Sequence, residues 1–213
     1  MKEKIKDFII KNLRWILLFI CLIGFFAIAE DVFNKEIMNG DIIGYKMVST
    51  FLISDFATPI AKFITNLGGA IFLIGLTALL IILIKNKKIG LSILVNLAIV
   101  TGLNQLLKRI LQRPRPTEFR IVEETGYSFP SGHSMVSMAF YGYLIYLIYK
   151  YIKNKYIKWI SIIALSILIC SIGISRIYLG VHYTSDVLGG FLISLSYLIV
   201  YTLIVNRYLF DDM

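Results

Sequence analysis

Six apolar runs divide this chain: Trp15–Ala29, Leu67–Ile84, Ile89–Leu107, Ser134–Tyr151, Trp159–Ser175 and Asp186–Val205. Each is about long enough to cross the hydrocarbon layer of a bilayer, or nearly so. Nothing else in the sequence limits the fold as strongly. In lipid, every backbone N–H and C=O must be satisfied within its own element, which these runs do as helices. The expectation is an all-α integral membrane bundle of six transmembrane helices, forming a single domain over residues 1–213. Mean hydropathy is +0.78 and 58% of the residues are hydrophobic, values that exclude an ordinary soluble domain of this length.

The charges between the runs set a topology. Lys2, Lys4, Lys6, Lys11 and Arg14 precede the first run, Lys85, Lys87 and Lys88 follow the second, and Lys150 lies at the end of the fourth with Lys153, Lys155 and Lys158 after it. With six spans, all three groups fall on one side, as does Arg207 near the C-terminus. By the positive-inside rule that side is cytoplasmic, in a multi-pass protein of the plasma membrane with both termini inside. This distribution accounts for most of the net charge of +9. No basic stretch is interleaved with polar or aromatic readers, so nucleic acid is not an implied partner. Ala27-Ile28-Ala29 has the look of a signal-peptidase site, but the first run reads as an uncleaved anchor. The segment Glu30–Asn66 repeats apolar residues at helical spacing and is expected to lay one or two amphipathic helices in the outer interface, with starts near Ser54-Asp55 and Thr58-Pro59. Cys21 and Cys170 lie inside apolar runs, without zinc-type spacing, and read as small hydrophobes.

One charged stretch breaks the topology rule. Lys108, Arg109, Arg113, Arg115 and Arg120 crowd the outer side. Lys108 ends a run, and Arg115 sits between Pro114 and Pro116, which hold it extended. A guanidinium so placed can grip two phosphate oxygens, with the lysine as a point charge. Pro130-Ser131-Gly132-His133 opens the fourth run, where a helix N-terminus with free N–H groups attracts an anion and glycine permits close approach. Ser175-Arg176 closes the fifth run. His182 and Asp186 are four residues apart, one helical turn, so the carboxylate can orient the ring. The chain has two histidines, and each belongs to one of these motifs. Three cations converging on two imidazoles suit phosphate chemistry. Glu118, Glu123 and Glu124, in the loop between the first two motifs, read as a solvated face, the alternative being that they repel highly anionic headgroups.

The three motifs, filled at every position, resemble those of the type 2 phosphatidic acid phosphatase superfamily, which also includes vanadium haloperoxidases. The short single-domain form is similar to its bacterial membrane members of the phosphatidylglycerophosphatase B and undecaprenyl pyrophosphate phosphatase type. That resemblance implies hydrolysis of a phosphomonoester or pyrophosphate headgroup on a membrane lipid, without metal or other cofactor, at the outer surface. It implies His182 as nucleophile, Asp186 as its orienting acid and His133 as the acid that protonates the leaving oxygen. Lys108, Arg115, Ser131, Gly132 and Arg176 would hold the phosphate. Phosphatidylglycerophosphate, phosphatidate and undecaprenyl pyrophosphate all remain open as substrates, and no obligatory protein partner is implied. A vanadate-dependent haloperoxidase would share the anion site, but such proteins are typically larger and soluble. A non-catalytic lipid or anion carrier would have no use for His133, His182 and Asp186.

Overall fold

The structure is a computed structural model that describes residues 2–35, 38–118 and 120–210, with the backbone alone for residues 2–11 and 210. Lys2, Lys4, Lys6 and Lys11 therefore lie outside the described side chains, and Glu36 outside the described residues. Among the described residues the regular structure is helical. The order is α1 (Lys2–Phe33), α2 (Asn39–Phe51), α3 (Ala57–Asn66), α4 (Ala70–Leu83), α5 (Lys87–Leu111), α6 (Gly132–Tyr151), α7 (Lys155–Tyr178) and α8 (Thr184–Val205), with a π-helical turn at Asn206–Phe210.

The short basic connections are held by asparagine caps. Asn86 Oδ1 accepts the Lys88 N–H at the start of α5, and Asn154 Oδ1 accepts those of Tyr156 and Ile157 at the start of α7. The segment Glu30–Asn66, where one or two amphipathic helices were expected, holds α2 and α3. Ser54 Oγ accepts the Ala57 N–H at the head of α3, close to the start read from the sequence.

Four stretches are long and apolar enough to cross a membrane: Asn12–Phe33, Lys87–Leu111, Lys155–Tyr178 and Thr184–Leu209. A fifth is obtained if α3 and α4, bent by 51° at a short break, are taken together. Six spans were expected, and the two remaining runs differ for separate reasons. The run Leu67–Ile84 becomes the 14-residue α4, about 21 Å long at 1.5 Å per residue, short of the hydrocarbon thickness. Its break from α3 is fixed by packing. A Cβ on Gly68 would come within 2.6 Å of Ser137 Oγ and 2.7 Å of Ile172 Cγ2. Beside it, the Tyr141 hydroxyl donates to the Leu67 carbonyl at 2.7 Å. The run that becomes α6 is enclosed rather than lipid-facing. It packs against α5, α7 and α8 and buries Ser134, Ser137, Tyr141 and Tyr143. A helix surrounded by protein can carry polar groups that find partners there, so its hydropathy falls below that of its neighbours.

The core follows from this arrangement. Leu73, Ile93, Phe140, Tyr143 and Ile172 meet between α4, α5, α6 and α7. Phe25 of α1 stacks on Phe129, just before α6, with ring centroids 5.7 Å apart. On α8, a Cβ at Gly190 would lie 3.1 Å from the Ser131 carbonyl oxygen, so glycine is what lets α8 approach the start of α6. The outside is apolar: Ile71, Ile74 and Ile82 of α4 and Ile160, Ile163 and Ile167 of α7 are all exposed. A surface of that kind belongs in a bilayer. Both cysteines are free.

Chain direction then positions the chemistry. α5 and α7 finish, and α6 and α8 begin, at one end of the bundle. Lys108, Arg176, His133 and Asp186 therefore gather at that end, while Lys87, Lys88, Lys150 and Lys155 occupy the other.

Candidate active site

Lys108, Arg115, Gly132, His133, Arg176 and His182 line one cavity of about 370 Å³, together with Asn104, Glu124 and Tyr127. Each cation is aimed by hydrogen bonds. Lys108 Nζ donates to the carbonyls of Tyr127 and Ser128. Arg115 Nε donates to the Thr125 and Gly126 carbonyls at 3.2 and 3.0 Å, and Nη1 to the Val181 carbonyl at 3.0 Å. Arg176 is almost wholly buried. Its Nη1 donates to Thr65 Oγ1 of α3 at 2.8 Å and its Nη2 meets Glu124 Oε1 at 2.5 Å. Its Nε–H has no hydrogen-bond partner among the described residues.

His182 lies between α7 and α8, enclosed on all sides. Arg115 Nη1 approaches its Nε2 at 3.0 Å. A guanidinium only donates, so the Nε2 it touches carries the lone pair and the proton is on Nδ1. Nδ1 faces Asp186 Oδ2 at 3.3 Å and Ser128 Oγ at 3.2 Å. Burial pushes the imidazole pKa down to about 4; the Asp186 carboxylate opposes this, and the nearby Arg176 and Arg115 add to it. The ring is thus neutral at neutral pH, with the Nε2 electron pair turned to the cationic cavity, where it accepts from Arg115.

Asp186, fully buried in the first turn of α8, is held by more than the histidine. It accepts from Arg113 Nη1 at 2.7 Å, from the Tyr183 N–H at 2.8 Å and from the Ser128 hydroxyl. Arg113 also reaches Asp41 of α2 at 2.7 Å, and its guanidinium lies over the Tyr183 ring, 4.1 Å from the centroid. Asp41 in turn accepts from the backbone N–H and the hydroxyl of Ser185. Carboxylates buried this deeply need such partners.

The second motif is arranged by the helix it starts. Ser131 caps α6, its Oγ accepting from the Ser134 N–H and hydroxyl, while its own N–H donates to the Asp186 carbonyl at 3.0 Å. Its hydroxyl is fully buried and engaged there. Gly132 does face the cavity: a Cβ would come 3.1 Å from Asn104 Oδ1 and 3.9 Å from Lys108 Cε. Asn104 Nδ2 fixes the turn by donating to the Pro130 carbonyl at 3.2 Å.

Of the residues expected from sequence, Lys108, Arg115, Gly132, His133, Arg176 and His182 come together around the cavity, and Asp186 stands behind His182. Ser131 is the exception, serving the helix start. Ser128, Asn104, Thr65, Asp41 and the supporting role of Arg113 were not foreseen. The expectation of a solvated acidic face holds for Glu118 and Glu123, which are exposed, and fails for Glu124, which is ion-paired with Arg176 inside the site. Arg176 is buried and short of counter-charge, and Glu124 is the carboxylate within reach.

A helical membrane fold with three cations and two histidines at one end of the bundle defines the class, a membrane-integral phosphatase. Residues 89–209 match the model of the PAP2 superfamily, and the chain belongs to that superfamily. It is 37% identical over 137 residues to phosphatidylglycerophosphatase B of Bacillus subtilis (strain 168), covering 62% of this chain and 67% of the relative. It is 28% identical to an undecaprenyl-diphosphatase of Sulfolobus acidocaldarius, covering 76% and 73% of the two chains. Its fold is similar to the crystal structure of a transmembrane PAP2 type phosphatidylglycerolphosphate phosphatase from Bacillus subtilis. The TM-score is 0.80 at 27% identity, over 91% of this chain and 98% of that one. Aquifex aeolicus LpxE shares the fold, with a TM-score of 0.57 at 22% identity over 77% of this chain and 93% of the other.

Proposed function

We propose that the protein is a lipid phosphatase that removes a terminal phosphate from a membrane lipid of the phosphatidylglycerophosphate, phosphatidate or undecaprenyl pyrophosphate kind, through a phosphohistidine on His182. The observation that carries this is the state of His182: Nδ1 faces Asp186 and Nε2 turns to Arg115 in the cationic cavity. Nε2 attacks phosphorus, and the bond from phosphorus to the lipid-side oxygen breaks. His133 gives that oxygen its proton. Lys108, Arg115, Arg176 and the Gly132 backbone hold the other phosphoryl oxygens, which is most of what phosphoryl transfer requires. Water then attacks the phosphohistidine and passes a proton to His133. Orthophosphate leaves, and both histidines return to their starting states. The names of the bacterial and archaeal relatives support a phosphatidylglycerophosphate or undecaprenyl pyrophosphate substrate.

Six spans, with both termini cytoplasmic and the site at the outer surface, fit this reading. They place the basic turns around Lys87 and Lys155 inside and bring in the enclosed α6 as the sixth crossing. The test is phosphate release by the purified protein across the three lipids. A folded protein that releases phosphate from none of them would end the proposal.

Two further outcomes are expected. Hydrolysis proceeds in excess EDTA, because the cavity is ringed by cations that repel a metal ion and themselves neutralise the phosphate. Loss of activity restored only by a divalent ion would contradict this. The pH profile carries the second. His182 must be neutral to attack, and burial holds its pKa near 4. Expressed per dianionic substrate, whose own second pKa is about 6, the acid limb of kcat/KM then reports the free enzyme and falls near pH 4 rather than near the ordinary histidine value of about 6.5. Activity is present above that limb and is lost as pH drops through it. An acid limb at the unperturbed histidine value would show that the ring is not buried as described.

A further inference from the structure

Against both His182 and Asp186 stands a hydroxyl. Ser128 is fully buried, its Oγ 3.2 Å from His182 Nδ1 and within hydrogen-bond distance of Asp186 Oδ2. The proton positions at this junction follow by elimination. Arg115 only donates, so Nε2 accepts and the ring proton is on Nδ1. Asp186, ion-paired with Arg113, only accepts, so the Ser128 hydroxyl proton points to the carboxylate. Ser128 Oγ is left with its lone pairs for Nδ1–H. Bonds therefore run from Nδ1–H to Oγ and from Oγ–H to Oδ2, with a direct approach of Nδ1 to Oδ2 at 3.3 Å beside them. That direct approach is longer than the bonds Oδ2 takes from Ser128 and from the Tyr183 N–H, and lies past the usual N–H···O range of about 2.7–3.2 Å. Ser128 is itself fixed by its backbone: its N–H donates to the Arg113 carbonyl at 2.8 Å, and its carbonyl accepts from Lys108 Nζ at 3.3 Å. The hydroxyl is thus in place before any lipid arrives.

We propose that Ser128 is a positioning residue of the reaction, which carries the influence of Asp186 to the His182 ring. This rests on the reading of His182 as the nucleophile. As Nε2 forms its bond to phosphorus and the bond from phosphorus to the lipid-side oxygen breaks, the ring gains positive charge. The Nδ1 proton stays on the ring throughout, and its bonds to Ser128 and Asp186 strengthen as that charge grows. A hydroxyl already polarised by a carboxylate is a better acceptor than a free one. The contact is stronger to the charged ring than to the neutral one, so it lowers the barrier instead of tightening the hold on the lipid. When water breaks the bond between nitrogen and phosphorus, the electron pair returns to Nε2 and the junction relaxes without having moved a proton.

The test separates rate from binding. The purified full chain is mixed in rapid-quench runs with whichever of the three lipids wild type hydrolyses fastest, labelled in its terminal phosphate. Ser128→Ala is expected to slow phosphoenzyme formation and kcat by on the order of tenfold, the effect of losing one hydrogen bond to a charged group. KM, and the thermal stabilisation given by inorganic phosphate, stay within about twofold of wild type. In an Asp186→Asn background the same substitution costs far less, because the hydroxyl no longer has a carboxylate behind it. A full second loss in that background would make Ser128 independent of Asp186 and overturn the proposal. So would unchanged phosphoenzyme formation in Ser128→Ala. Inorganic phosphate binding that weakens in step with kcat would overturn it too, and would assign Ser128 to holding Lys108. Should Asp186→Asn fail to fold, the single variant still decides through its rate and its phosphate binding. Wild type that forms no phosphoenzyme would remove the nucleophile reading and this proposal with it, a result distinct from the others.

Discussion

His182→Ala is expected to abolish turnover, by on the order of 10⁴-fold or more in kcat, while lipid and inorganic phosphate still bind. The alanine removes the atom that forms the covalent bond but leaves Lys108, Arg115 and Arg176 on their own carbonyl and side-chain partners. It also takes Nε2 away from Arg115, which frees one donor for the phosphate. Rapid quench of wild type with a lipid labelled in its terminal phosphate should trap an acid-labile, base-stable phosphoprotein that His182→Ala does not form. A folded His182→Ala protein with near-normal kcat, or a variant that still labels, would remove His182 from the role of nucleophile. His133→Ala should separate from it. That variant is expected to retain labelling with a good leaving group and to lose it with an alkoxide leaving group, since its proton matters most where the departing oxygen is basic.

The largest effect outside the cavity is expected at Arg113. Its guanidinium is buried between Asp41 and Asp186, at 2.7 Å from each. Arg113→Met leaves two carboxylates without their cation in a water-poor pocket, a change that costs about 3–5 kcal/mol when one member of a buried ionic group is removed. Unfolding in detergent should shift markedly downward, and activity should fall with it, because Asp186 loses one of the bonds that aim it at His182. Arg113→Met combined with Asp41→Asn should recover part of the lost stability, since one of the stranded charges is gone. Equal thermal stability of Arg113→Met and wild type would show that the network contributes little. Recovery of stability without recovery of kcat would separate the structural role of Arg113 from its effect on Asp186.

The groups that line the candidate site were legible because their chemistry conflicts with their surroundings. A lysine, two arginines and two histidines at the ends of apolar runs require a reason, and the order of the runs brings those ends together. The supporting residues carried weaker signals. Asn104 could have been found: it is a polar residue one helical turn before Lys108, on the same face of α5. Asp41 and Thr65 could not, because an acid or hydroxyl in a long amphipathic segment acquires meaning only when the face on which that segment docks is known. Glu124 looked like its exposed neighbours Glu118 and Glu123, since a loop sequence does not say which carboxylate turns inward. Ser131 carried two plausible roles, and the helix start took the hydroxyl. The span count differed for a related reason. The six runs were read from hydropathy alone, which says neither that protein surrounds α6 nor that the chain breaks at Gly68.

The anchors at Asp41 and Thr65 lie outside the stretch, residues 89–209, that matches the superfamily. All three motifs fall inside it, and a boundary drawn there looks like that of a self-sufficient catalytic module. Energetically it is not one. Arg113 receives one of its two counter-charges, and Arg176 one of its two side-chain partners, from helices that precede that boundary. Exchanging the N-terminal third of this chain for that of a relative would keep every motif while changing what holds two of its arginines. Recombination among such proteins is therefore constrained at a pair of positions that motif comparison does not flag.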